Sequence, residues 1–125
     1  MECRSARAPM GIACDIHPLQ NSRVLGYLRG PLAQADGPVA DWVRHWIGLG
    51  FRSLEELALR YGDGTHYLYG DDVTMADLCL APQMYNARRF SVDLSPYPTL
   101  LRIEEACLAL PAFDAARPEK QPDAP

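Results

Sequence analysis

Between Pro38 and Tyr61, residues Val39, Val43, Trp46, Gly50, Leu54, Leu57 and Tyr61 recur at alternating steps of three and four. That spacing puts them on one face of a helix. A face this long must be covered by other packed elements. Pro38 suits the first helical turn, where its missing N–H costs nothing, and Gly62 with Gly64 supplies a stop.

The remaining segments agree with that architecture. Thr74-Met75-Ala76-Asp77 places a hydroxyl and, three positions later, a carboxylate where each can accept an orphan N–H of a first helical turn. The helix that follows is read with Leu78, Cys79, Pro82 and Tyr85 on or near one face, bent at Pro82 and reaching Phe90. Thr99 to Ala109 reads as another helix with Leu100, Ile103, Cys107 and Leu110 inward, and Pro111 starts a last turn through Phe113. Ile12, Ile16, Leu19, Val24, Leu25 and Leu28 suggest helix on both sides of Pro18, broken near His17-Pro18. No period-two stretch of strand length occurs, and Tyr67-Leu68-Tyr69 is too short to argue for a sheet. The fold class is all-α, a bundle of about five helices.

Composition limits the function classes. The 125 residues, 48% hydrophobic and 22% charged, suit one domain with one core. No apolar run approaches the roughly 18 residues of a bilayer span, so membrane is not an expected partner. Twelve Lys and Arg against sixteen Asp and Glu leave a net charge of -4, which gives no electrostatic reason to bind nucleic acid. Cys3, Cys14, Cys79 and Cys107 lie far apart, without a Cys-x-x-Cys pair or zinc-finger histidine spacing. Arg4 and Arg7 are followed by no apolar stretch of signal-peptide type, so a reducing, cytoplasmic location is expected.

Few side chains are suited to chemistry. Arg89 can clamp a carboxylate with its guanidinium fork, although Arg88 and Arg89 could equally face solvent and complement the helix dipole. Gln20 and Asn21 follow the break at Pro18; an amide there can serve a ligand or cap the next helix. His17 is read as structural rather than as a general base. His45 and His66 pair with no carboxylate at ligand spacing, so no metal is expected, and Trp42 with Trp46 reads as core. Thr74 and Asp77 are read as a structural cap.

Five segments in order carry a resemblance: Ile16-His17-Pro18-Leu19-Gln20-Asn21, Gly70 to Leu80 around Thr74-Met75-Ala76-Asp77, Tyr85-Asn86-Ala87-Arg88-Arg89-Phe90, Asp93 to Pro98, and Gln121-Pro122-Asp123. Together they resemble the C-terminal helical domain of the maleylacetoacetate isomerase family, the zeta-class glutathione transferases. The resemblance implies a helical domain over 10–116, an atypical start over 1–9 in which Pro9 stands where a helix former is expected, and a surface tail over 117–125. It implies glutathione as cofactor, a small dicarboxylate as substrate and a homodimer, or self-association through exposed apolar surface. It aligns Arg89 with a family arginine and Gln20 with a family glutamine near the site. The family reaction is glutathione-dependent cis–trans isomerisation in tyrosine and phenylalanine breakdown, with the thiol activated by a thioredoxin-like N-terminal domain. That domain's Ser-Ser-Cys motif does not occur in these residues, so the chain alone is expected to be inactive, with no catalytic residue of its own. The alternative is a non-catalytic interaction module of glutathione transferase C-terminal type.

Overall fold

The protein is described by a computed structural model covering residues 6–61 and 65–124. Its helices are α1 (Arg7–Gly11), α2 (Ser22–Arg29), α3 (Asp36–Tyr61), α4 (Met75–Arg89), α5 (Pro98–Leu108) and α6 (Pro111–Ala115). A π turn (Ile12–Ile16) extends α1 and a 3-10 turn (Pro18–Gln20) leads to α2; Pro18 removes one N–H from the ladder at the switch between them, and the backbone turns extended at Asn21 (ψ 147°). The fold is all-α; the only extended pairing among the described residues is an isolated bridge between Tyr67 and Gly70. Cys3 and the proposed Gly62 and Gly64 stop lie outside the described residues, as does most of the atypical start. Pro9 is the third residue of α1, early enough that its missing N–H breaks no intrahelical bond.

α3 is the spine. It packs on α5, on α1 with its π turn, and on α2, while α4 packs on α5 and α1. The buried face of α3 consists of Val39, Val43, Ile47, Phe51, Leu54, Glu55 and Ala58. This corrects the middle and end of the expected face. Trp46, Gly50, Leu57 and Tyr61 are half-buried on its flank, while Ile47, Phe51 and Ala58 are fully buried. Gly50 still has a reason to be glycine: a Cβ built there would lie 2.3 Å from Ile16 Cγ1. Trp42 and Trp46 are half-buried and meet edge to face at 5.6 Å. The Trp42 indole donates to the Leu19 carbonyl at 2.6 Å, tying α3 to the Pro18 turn.

On α4 the face that carries Leu78, Pro82 and Tyr85 is the outer one: Leu78 is 51% and Tyr85 41% exposed, with Met75 beside them at 65%. The core side consists of Ala76, Asp77, Leu80, Gln83, Met84 and Ala87. Periodicity finds both faces, and the structure buries this one. The helix continues through Pro82 to Arg89. In α5, Leu100, Ile103 and Cys107 are buried as read, together with Glu104, while Leu110 lies beyond the helix and is half-buried.

Two buried carboxylates fix helix starts. Thr74 Oγ1 accepts from the Ala76 N–H at 3.3 Å while Asp77 Oδ2 accepts from the Thr74 N–H at 2.8 Å, a reciprocal capping box. Asp77 Oδ1 also accepts from the Leu68 N–H at 2.9 Å, fastening the preceding loop. Glu55 of α3 caps α5 from outside, its two oxygens accepting from the Thr99 and Leu100 N–H groups at 2.9 and 3.0 Å. Nothing local in the sequence points to the second cap, because its partners are 44 and 45 residues apart.

Candidate functional site

A groove of about 920 Å³ runs between the Pro18 turn, the start of α2 and one side of α4. It forms where the backbone leaves helical geometry at Asn21 (ψ 147°), just after the Pro18 turn. The π turn and the 3-10 turn set Gln20 against the last turns of α4. Gln20 is buried; its Nε2 donates to the Ile16 carbonyl at 3.3 Å and its Oε1 accepts from Asn86 Nδ2. Asn21 Oδ1 accepts from the Arg23 N–H at 3.2 Å, which makes it the N-cap of α2. The two residues thus divide the roles left open by the sequence: Asn21 caps, and Gln20 spans the groove floor.

Arg89 stands on the rim. It is exposed, and its guanidinium carbon lies 5.9 Å from the centroid of the Phe90 ring. Among the described residues it has no carboxylate partner. Arg88 differs: half-exposed at the surface, as read, it also forms a bidentate pair with Glu104, donating from Nη2 to Oε2 at 2.6 Å and from Nη1 to Oε1. The Glu104 side chain is only 6% exposed, so Arg88 is committed to neutralising a buried charge. Arg89 is left as the uncompensated cation at this end of α4. From α3, Arg44 donates to the Phe90 carbonyl at 3.3 Å and fixes the C-terminal turn that carries it.

Other sequence candidates fall around this arrangement or away from it. His17 is exposed and lines the groove beside Gln20, so it is not buried as a structural histidine would be. His66 pairs with Asp71 at 3.0 Å on the surface, far from α4's C-terminus in sequence, and this holds the Asp71 carboxyl below its ordinary range. His45 stacks edge to face on Trp46 at 4.9 Å. Among the described residues no cluster of three metal-ligating side chains occurs. Cys79 lines the groove, and burial pushes its thiol up. Asn86 and Gln83, both in the groove, were not singled out from sequence; Asn86 stands in a segment quoted for the resemblance, and Gln83 carried no signal.

A second, more apolar groove of about 950 Å³ lies on the far side of the Leu78-Pro82-Tyr85 ridge, between α4, α5, α6 and the tail. Arg89 borders both grooves. The tail folds back on itself, Gln121 Nε2 donating to the Ala115 and Arg117 carbonyls at 3.0 Å.

No protein-family model matches the chain. A probable maleylacetoacetate isomerase of Vibrio cholerae is 50% identical over 115 residues, which are 92% of this chain and 53% of that protein. The solved holo structure of a maleyl pyruvate isomerase, a bacterial glutathione S-transferase of the zeta class, superposes with a TM-score of 0.95 at 39% identity. It matches 98% of this chain, which covers 58% of that one. The maleylacetoacetate isomerase of Anaeromyxobacter dehalogenans, solved with dicarboxyethyl glutathione and citrate in its active site, superposes with a TM-score of 0.90 at 41% identity. Here too 98% of this chain is matched, over 54% of the other. The chain spans about half the length of the curated relatives it matches. It corresponds, over nearly all its residues, to a C-terminal portion of the zeta-class glutathione transferases of maleylacetoacetate and maleylpyruvate isomerase type.

Proposed function

We propose that residues 10–116 are the substrate-contacting helical domain of a glutathione-dependent cis–trans isomerase acting on maleylacetoacetate or a similar small dicarboxylate in tyrosine and phenylalanine catabolism. The observation that carries this is the groove in which Arg89, without a carboxylate partner, stands above the Gln20–Asn86 amide pair. In this reading Arg89 holds a substrate carboxylate, Gln20 shapes and polarises the floor, and Asn21 fixes the turn that presents it. A relative's active site holding both a glutathione adduct and citrate supports the pairing of a thiol cofactor with carboxylate ligands.

Isomerisation of this kind adds a thiolate to the conjugated double bond, allows rotation, and then expels the thiolate. It therefore needs a stabilised thiolate as well as donors at the carboxylates and the developing enolate. The groove offers donors; the thiolate site is assigned to residues outside these 125, and glutathione binding by the chain alone is expected to be weak. The exposed ridge of Met75, Leu78 and Tyr85 is the surface through which the isolated chain self-associates, or against which a longer parent packs, and the family dimer is the assembled state. No helix among the described residues is long and apolar enough to cross a membrane, and a cytoplasmic location is proposed. Assay of the purified 125-residue chain with glutathione and maleylacetoacetate tests the division of labour: no turnover is expected, and measurable turnover would refute it.

A further inference from the structure

Gln83 is 3% exposed, and its Nε2 is buried without a hydrogen-bond partner among the described residues. An amide donor in that state costs the fold stability, because its bonds to water are lost and nothing replaces them. The same residue lines the groove with Gln20, Asn86 and Arg89, one turn from Asn86 on the same helix. The neighbouring amides are in a different condition: each has one N–H committed, Gln20 Nε2 to the Ile16 carbonyl and Asn86 Nδ2 to Gln20 Oε1. Gln83 is thus the buried amide lining the groove whose nitrogen has no partner among the described residues.

We infer that Gln83 is a ligand-positioning residue of this groove, donating Nε2–H to an oxygen of a dicarboxylate whose other end Arg89 holds. The inference rests on the function proposed above. Six residues separate the two along α4, about 9 Å of helix rise, and both line the same groove. A neutral amide suits the role. It satisfies a carboxylate or carbonyl oxygen without adding charge to the site, and it fixes orientation while Arg89 supplies attraction.

The test uses the full 125-residue chain and maleate as probe. Maleate is titrated into labelled protein while two signals are followed: the Gln83 side-chain NH2, identified by its loss in Gln83→Leu, and the Arg89 Nε–H. Both are expected to shift on one isotherm. Gln83→Leu is expected to weaken maleate binding about tenfold or more, the size of one hydrogen bond to a charged acceptor. The same variant is expected to raise the thermal midpoint, because it removes an unpaired buried donor. Arg89 shifting without Gln83, or unchanged affinity in Gln83→Leu, overturns this inference and leaves the proposed function standing. A Gln83 shift without Arg89 upholds the donor and contradicts the carboxylate clamp. Silence at both sites overturns both. A lowered midpoint with intact affinity marks Gln83 as structural and also overturns the inference.

Discussion

Asn86, in the last full turn of α4, donates its side-chain N–H to Gln20 Oε1 across 66 residues of sequence, and Gln20 in turn donates to the Ile16 carbonyl. One buried amide therefore ties the π turn, the Pro18 turn and the end of α4 into a single unit. Gln20→Ala is expected to leave the Ile16 carbonyl and Asn86 amide to find other partners, costing about 2 kcal/mol of stability. Urea unfolding of the variant checks this; an unchanged midpoint would show that the bridge is dispensable.

Asp77 is fully buried and accepts from the Leu68 N–H, the Thr74 N–H and the Thr74 hydroxyl. Asp77→Ala deprives all three donors at once and should destabilise the protein by about 3 kcal/mol, through the lost cap and the released loop. Asp77→Asn keeps the shape and the acceptor oxygen and is expected to lose less. Equal midpoints for Asp77→Ala and the parent would contradict the capping account.

At Gly50, a methyl group would meet Ile16 Cγ1 and Cδ1 at 2.3 and 2.4 Å. Gly50→Ala gains helix propensity, roughly 1 kcal/mol, but forces a buried isoleucine from its place, at roughly 1–3 kcal/mol. A net loss is expected. In an Ile16→Ala background the clash is gone, and the same substitution should be neutral or stabilising. A double-mutant cycle that shows no coupling would remove the close approach as the reason for glycine.

Cys107 is buried beside α4. Its burial, with the Asp77 and Glu104 charges nearby, pushes the thiol up to about 12. In the unfolded chain a cysteine titrates near about 8.5. Between these values the folded state keeps a proton that the unfolded state has released, so stability is full below the lower value and falls as pH rises toward the upper one. The slope is roughly 1.4 kcal/mol per pH unit. The difference between parent and Cys107→Ala, followed by unfolding from pH 8 to 11, should carry this slope; a flat difference would contradict it.

Much of the fold was legible because its signals are local. The three-and-four spacing of α3, the start of α4 after Thr74 and the break at Pro18 each depend on residues within one or two turns. What could not be read was orientation. α4 carries an apolar row, Leu78, Pro82 and Tyr85, and a smaller row, Ala76, Leu80, Met84 and Ala87, and periodicity alone does not say which meets the core. The structure buries the second row and exposes the first.

The groove was legible in part for a similar reason. Gln20, Asn21 and Arg89 stood out through the resemblance, yet their bonding depends on partners that sequence does not bring together. Asn86 answers Gln20, and Glu104 takes Arg88, so only the structure separates the committed arginine from the uncommitted one. Glu55 and Gln83 were invisible because a buried Glu or Gln within a helical pattern looks like any solvated residue until its surroundings are known.

The account's central claim is that this chain supplies the carboxylate-holding half of an isomerase site. The direct measurement joins the chain behind the N-terminal half of the Vibrio cholerae relative and assays maleylacetoacetate isomerisation with glutathione, with and without Arg89→Ala. The account expects turnover in the fusion and a loss of about a hundredfold in kcat/KM on removing the guanidinium. A folded but inactive fusion, or an Arg89→Ala variant as active as its parent, would contradict it.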